Sequence, residues 1–198
     1  MTFQVLVADP PWRFGDALPG ATRGASKQYD TMTVPELKAF ELPHMSENKV
    51  LFMWRVSSMV EEAYDVVRTW GFTPKTEIVW QKLTKHGKKH FGLGRYLRAS
   101  HETCIVATRG RCFPQVKNIR STFEAPCPTD EHGVIHSAKP EEFFQIVEAL
   151  YPGPYVELFS RKHRPGWMCL GNQVDTGPGS PAARPQLPLL SFSFGKKP

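Results

Sequence analysis

The chain reads as one layered α/β domain, and three observations predict that fold. Short apolar runs of strand character alternate with stretches whose apolar residues recur at helical spacing. A length of 198 residues is enough to bury a substantial core without disulfides or metals. The most distinctive tetrapeptide, Asp9-Pro10-Pro11-Trp12, directly follows the first strand-like run, which places it at the sheet edge where ligands of open α/β folds gather.

Phe3 to Ala8 reads as a buried strand, ended by the two prolines because proline cannot donate to a ladder. Residues 13 to 27, rich in Gly, Ala, Pro and polar groups, predict a mobile loop over that strand end. Val34 to Phe40 fits a short helix and Lys49 to Trp54 a second strand. A helix then runs from about Ser57 to Trp70, with Met59, Val60, Ala63, Val66, Val67 and Trp70 on one face and Gly71 as its stop. Glu77 to Trp80 and Thr103 to Ala107 are further strands. Lys139-Pro140 opens a helix to Leu150, since proline is favoured at the first helical position. Its apolar face is Phe143, Phe144, Ile146, Val147 and Leu150, and Pro152-Gly153 ends it. Tyr155 to Phe159 and Trp167 to Leu170 complete the strands. Thr176 to Pro198 holds five prolines, three glycines and no acid, so the domain is expected over residues 1–175 with a disordered tail over 176–198.

The four cysteines, Cys104, Cys112, Cys127 and Cys169, show no C-x-x-C spacing, and no secretory apolar stretch precedes the first strand. A reduced, cytoplasmic protein is the expectation. No apolar run approaches the ~20 residues that cross a bilayer, which argues against a membrane partner. The formal charge is +6, and its placement is more informative than its size. Lys82, Lys85, Lys88, Lys89, Arg95 and Arg98 fall in one stretch without a single acid. Such a field suits a polyanion, because cations near phosphates release condensed counterions; a solvated surface loop accounts for the charge alone equally well.

The tetrapeptide carries the chemistry. An aromatic amine is a poor nucleophile, because its lone pair is delocalised into the ring. An enzyme must hold both amine hydrogens with acceptors and aim the nitrogen at an electrophile. The Asp9 carboxylate offers one acceptor, the Pro10 carbonyl on a stiff Pro10-Pro11 backbone a second, and Trp12 a flat surface for a base. The competing reading is a proline turn with Trp12 packed in the core. Average composition gives this tetrapeptide by chance in about one chain in several thousand, so its context decides.

That context is a series of further motifs. They are Tyr29-Asp30-Thr31-Met32, Leu51-Phe52-Met53-Trp54, Glu77-Ile78-Val79-Trp80-Gln81-Lys82 and His136-Ser137-Ala138-Lys139-Pro140-Glu141-Glu142. Tyr151-Pro152-Gly153, Glu157-Leu158-Phe159-Ser160-Arg161, Arg164-Pro165-Gly166-Trp167 and Gly171-Asn172-Gln173 follow in order. With Asp9-Pro10-Pro11-Trp12 they make residues 4 to 175 resemble the adenine-N6 methyltransferases of the MT-A70 family. The resemblance implies a Rossmann-like S-adenosylmethionine-dependent methyltransferase fold in permuted motif order, the catalytic tetrapeptide preceding the main cofactor-binding strand. It implies S-adenosyl-L-methionine as cofactor and assigns Asp9, Pro10, Pro11 and Trp12 to the target amine and base, with Asp9 also near the cofactor's amino acid part. Lys139 matches a lysine for the cofactor carboxylate, and Glu157 a carboxylate for the ribose hydroxyls with Phe159 beside it. Arg161, His163, Asn172 and Gln173 match positions around the ribose and adenine. Tyr29 and Lys82 correspond to residues near the target base, and Glu102 lies in a segment like a substrate-side loop. Two departures are Ala138, where the family carries a basic residue, and an altered segment from Cys127 to Val134.

Other constellations carry less. His132 and His136 near Cys127 lack the second pair that a structural zinc site needs, so no metal is expected. Gly92-Leu93-Gly94-Arg95 lacks the third glycine of a dinucleotide fingerprint. The resulting expectation is adenine-N6 methylation of nucleic acid. DNA is preferred over RNA by analogy with compact microbial and phage members acting in the cytoplasm, and a homodimer is compatible. A noncatalytic nucleic-acid-binding subunit on the same fold, or transfer to cytosine N4 or a glutamine amide, are the alternatives.

Overall fold

In the computed structural model, residues 1–13, 31–94, 96–131, 133–135 and 138–171 are described. The segment 14–27, the histidine pair His132 and His136, and the 176–198 tail lie outside them. Strand β1 spans Phe3–Ala8 as its apolar run predicts. Helix α1, Val34–Lys38, is started by a capping box in which the Thr33 hydroxyl and the Glu36 carboxylate exchange bonds with each other's backbone N–H. Strand β2 covers Met45–Arg55 and is longer than the apolar core of its sequence suggests. Helix α2 is Val60–Thr69, three residues shorter at its start than predicted, and Val60 is exposed rather than on the buried face. Gly71 follows its last turn at φ +81°, a conformation that side chains with a Cβ resist.

Strands β3 (Thr73–Leu83) and β4 (His101–Arg109) run well beyond the short apolar cores that announce them. Strand β5 (Thr122–Pro126) and the small hairpin β6 (Thr129–Asp130) and β7 (Gly133–Val134) have no such core and were not expected. Helix α3, Glu141–Leu150, begins one residue after Pro140, which acts as its cap in extended conformation instead of its first helical residue. Strands β8 (Tyr155–Leu158) and β9 (Trp167–Leu170) finish the sheet. Phe159 leaves β8 with φ +61°, unusual for a residue carrying a side chain.

Seven strands form one sheet in the order β5-β3-β4-β2-β1-β8-β9. β1 lies parallel to β2 and β8, and β8 to β9, whereas β4 is antiparallel to both of its neighbours β2 and β3. Alternation along the strands divides the core between the faces. Leu6, Ala8, Leu51, Met53, Ile105 and Leu158 pack with Leu37 of α1 and with Ala63, Val66 and Val67 of α2. Val5, Val7, Phe52, Trp54 and Cys104 pack with Phe143, Phe144 and Val147 of α3. Each fully buried Val, Leu, Ile, Met or Phe side chain among these stabilises the fold by roughly 1.5–3 kcal/mol.

The single reversed strand gathers one rim of the sheet. β4 opposes the others, so its first residues sit at the edge where β1, β2, β3, β5 and β8 end: Gln81 pairs with His101, Arg55 with Thr103, Ala8 with both Met53 and Leu158. Residues distant in sequence therefore converge on one rim. Among the described residues no helix is long and apolar enough to cross a membrane.

Candidate active site

The tetrapeptide after β1 is clamped from two sides. Arg13 N–H donates to the Met32 carbonyl at 2.9 Å and Met32 N–H to the Pro11 carbonyl at 2.7 Å, an isolated parallel bridge beyond the sheet. The Trp12 indole N–H donates to the Trp54 carbonyl at 3.0 Å. Trp12 is 4% exposed and belongs to the core on the α1 and α2 side. Its ring, expected as a flat surface for a base, is thus packed and anchored. The Pro10 carbonyl accepts the Trp12 backbone N–H at 2.8 Å, so one of its two lone pairs is engaged.

A chain of alternating charges runs through the rim. Lys139 Nζ lies 2.6 Å from Asp9 Oδ2 and 3.4 Å from Glu102 Oε2, and Lys82 Nζ lies 2.5 Å from Glu102 Oε1. The Lys139 side chain is 7% exposed, against 25% for Asp9 and 26% for Glu102. Tryptophans back both ammonium groups: Trp54 has its ring centroid 5.3 Å from Lys139 Nζ, and Trp80 lies 5.2 Å from Lys82 Nζ. Burial pushes the Asp9 carboxyl above the ordinary aspartate range, and the opposing pull of Lys139 does not cancel it. Burial acts the same way on Glu102, but there Lys139 and Lys82 prevail and hold it below the usual glutamate range. Lys139, which burial alone would lower, is raised by its two carboxylates.

Glu157, in β8 beside Val7 of β1, faces the same region, and burial raises its carboxyl against the fields of Arg164 and Lys162. Asp9 feels Arg161, and Glu157 feels Asp9. Phe159 turns away to pack on Phe40 with centroids 5.1 Å apart. His163 is exposed on the following loop. That loop is tied down by Arg164, which is buried, ion-paired to Glu141 of α3 and stacked 3.4 Å from the Phe144 centroid. Gly171 lies so close to Ser160 that a Cβ would run into its carbonyl, which explains the glycine before Asn172. Asn172, Gln173, Tyr29 and Arg95 lie outside the described residues. Lys85, Lys88, Lys89 and Arg98 are exposed on the β3–β4 loop.

Of the sequence candidates, Asp9, Lys139, Glu102 and Lys82 are brought into direct contact, and Glu157 and Arg161 into their electrostatic reach. Sequence reading missed the structural duties of Met32 and Trp54. Trp54 supplies both the anchor for Trp12 and the ring facing Lys139; its position at the end of a strand beside β1 was the available signal. No cluster of His, Cys, Asp or Glu suited to a metal occurs among the described residues.

Chemically, the rim can hold an amine. An ionised carboxylate has about four acceptor positions, and Lys139 uses one at Asp9. The donor set also fits S-adenosylmethionine: an ammonium for a carboxylate at Lys139, and an acceptor for hydroxyls at Glu157, both facing the end of β1.

Comparison with known proteins agrees. The MT-A70 family profile matches residues 3–173. The N(6)-adenosine-methyltransferase MT-A70-like protein of Drosophila melanogaster is 29% identical over 87% of this chain and 27% of its own length. The human N(6)-adenosine-methyltransferase catalytic subunit METTL3 is 29% identical over 87% of this chain and 28% of its own. The type II methyltransferase M.MunI of Mycoplasma is 27% identical over 87% of this chain and 78% of its own. The chain thus spans about a quarter of the length of the adenosine methyltransferases it matches.

Proposed function

From the membership of this chain in the MT-A70 methyltransferase family, we propose that it methylates the N6 amine of adenine in nucleic acid, with S-adenosyl-L-methionine as cofactor. One observation carries this reading: the Asp9 carboxylate stands at the end of β1, braced by Lys139 at 2.6 Å, with the adjoining backbone clamped by Met32 and the Trp12 side chain anchored on the Trp54 carbonyl. Asp9 and the second lone pair of the Pro10 carbonyl accept the two amine hydrogens and turn the nitrogen lone pair toward the incoming carbon. When bound, S-adenosylmethionine supplies the electrophilic methyl group. Lys139 and Glu157 would hold it, with Arg161 and His163 on the adjoining loop and Asn172 and Gln173 as further candidates from the family match. The N6–carbon bond would form as the carbon–sulfur bond breaks and a neutral thioether departs, and the surplus amine proton would pass to the Asp9 carboxylate, whose raised carboxyl suits it as the acceptor.

The order of elements, Asp9 on β1 well ahead of Glu157 on β8, supports the permuted arrangement. DNA is the preferred polymer and RNA the second. Support comes from the fuller coverage of the type II methyltransferase, 78% of its length against 28% for METTL3. We place the reaction in the cytoplasm, where the four free thiols stay reduced. Transfer of a radiolabelled methyl group onto matched DNA and RNA oligonucleotides, followed by nucleoside analysis, tests the proposal. Label recovered in N6-methyladenosine or its deoxy form supports it; label in cytosine or in protein, or none at all, refutes it.

A further inference from the structure

The β3–β4 loop, residues 84–100, has an unusual surface. Phe91, Leu93, Tyr96 and Leu97 are 77, 86, 91 and 84% exposed. Four of the ten exposed large hydrophobic side chains among the described residues therefore fall within one short stretch. They do not fold the loop, because its backbone does. Thr84 N–H bonds to the Lys88 carbonyl at 2.7 Å, His90 N–H to Lys82 at 2.9 Å, and Gly92 N–H to Ala99 at 2.9 Å. A Cβ at Gly92 or Gly94 would meet the carbonyl of Ala99 or Leu97, so the tip is drawn tight enough to require both glycines. The four apolar side chains stand outward on a shaped support.

Charge names the partner. Lys85, Lys88, Lys89 and Arg98 are exposed on the same loop, which has no acid. Protein interfaces deplete lysine at their apolar centres, whereas single-stranded nucleic acid is held by cations on its backbone and rings under its bases. The Arg98 guanidinium lies 5.1 Å from the Phe91 ring centroid, pairing one cation with one aromatic face. At the loop's root, Lys82 bonds Glu102, which bonds the Lys139 that holds Asp9. The loop springs from the catalytic rim, and Trp12, being buried, leaves the task of stacking exposed bases to other rings.

Resting on the nucleic-acid reading above, we propose that this loop is a base-contacting finger. Phe91 and Tyr96, flanked by Leu93 and Leu97, stack against unpaired bases next to the target adenine, while the loop lysines and Arg98 take the phosphates. The test is binding of an adenine-rich single-stranded oligonucleotide carrying 2-aminopurine, across a salt series, by the full chain. Phe91→Ala with Tyr96→Ala should lower affinity by about tenfold or more, abolish the change in 2-aminopurine emission and leave the salt slope intact. Tyr96→Phe should behave as wild type. Lys88→Ala with Lys89→Ala should instead flatten the log–log slope by about 1.4. Unchanged binding and emission in the aromatic pair, with wild-type methyl transfer intact, overturns the finger and leaves the enzyme standing. A wild-type dimer that the aromatic pair converts to monomer without loss of binding assigns the patch to a second copy and overturns it as well. Failure of the wild type to bind or methylate either polymer overturns both readings.

Discussion

Around Asp9 this protein buries charge, and a short way along the same sheet rim it exposes hydrocarbon. Lys139 is 7% exposed between two carboxylates, whereas Tyr96 is 91% exposed on a loop without acids. Neither arrangement helps folding: desolvating an ion pair offsets most of its attraction, and an apolar group left in water contributes nothing. Under the proposed function each serves a partner, one small and polar, the other long and aromatic. The core on both sides of the sheet, by contrast, follows the usual segregation.

The sharpest way to break the contrast is at its charged end. Asp9→Ala should lower kcat/KM for methyl transfer by about 10³-fold, the scale on which lost preorganised groups act, while the chain still folds, with a lowered melting temperature, because Lys139 keeps Glu102 as a partner. Next in size, Lys139→Met removes the ion-pair partner of Asp9 and leaves Glu102 with Lys82 alone, and should destabilise the fold by about 3 kcal/mol in denaturant titrations. Adding Asp9→Asn should recover part of that loss, and strict additivity of the two changes would dissolve the network as a unit.

The pH profile sharpens the comparison further. Amine capture needs Asp9 ionised, and its carboxyl lies above the ordinary range because burial outweighs Lys139. The rate therefore falls as pH decreases through that raised value. Glu102 adds to the rise by repulsion and shares Lys139. Glu102→Gln should consequently move the acid limb of kcat/KM to lower pH, and a limb that moves upward contradicts the charge chain. Glu102 itself is held low, so its stabilising contribution is present above its unfolded pKa and is lost as pH falls through the folded one. The smallest effect belongs to the exposed end: Leu93→Ser with Leu97→Ser should change unfolding free energy by no more than about 0.5 kcal/mol, and a larger loss would mean that these side chains support the fold.

How much of this could be read beforehand depends on distance along the chain. β1, the proline stop at Pro10-Pro11 and the apolar faces of α2 and α3 are local patterns, and they appear close to where the sequence puts them. Strand β5 and the reversal of β4 were not legible, since Thr122–Pro126 lacks an apolar run and strand direction leaves no periodic trace. The contact between Lys139 and Asp9 joins residues 130 apart; the family resemblance set each beside the cofactor's amino acid part, and nothing in the sequence paired them with each other. For Trp12 the sequence left two readings open, because the same ring serves a core as well as a base, and its bond to the Trp54 carbonyl exists only once β1 and β2 are side by side.

The antiparallel pairing of β3 with β4 has one more consequence. The two strands are joined through Gln81 and His101, and Lys82 N–H bonds to Ser100, so the hairpin is closed before the loop departs from it. Lengthening or exchanging what lies beyond that closure carries a small entropic penalty, ~0.6 kcal/mol for each doubling, and leaves Glu102 and its bonds where they are. If the loop contacts nucleic acid as proposed, its tip can change while the charged rim at its root stays constant, which makes the hairpin a natural grafting point.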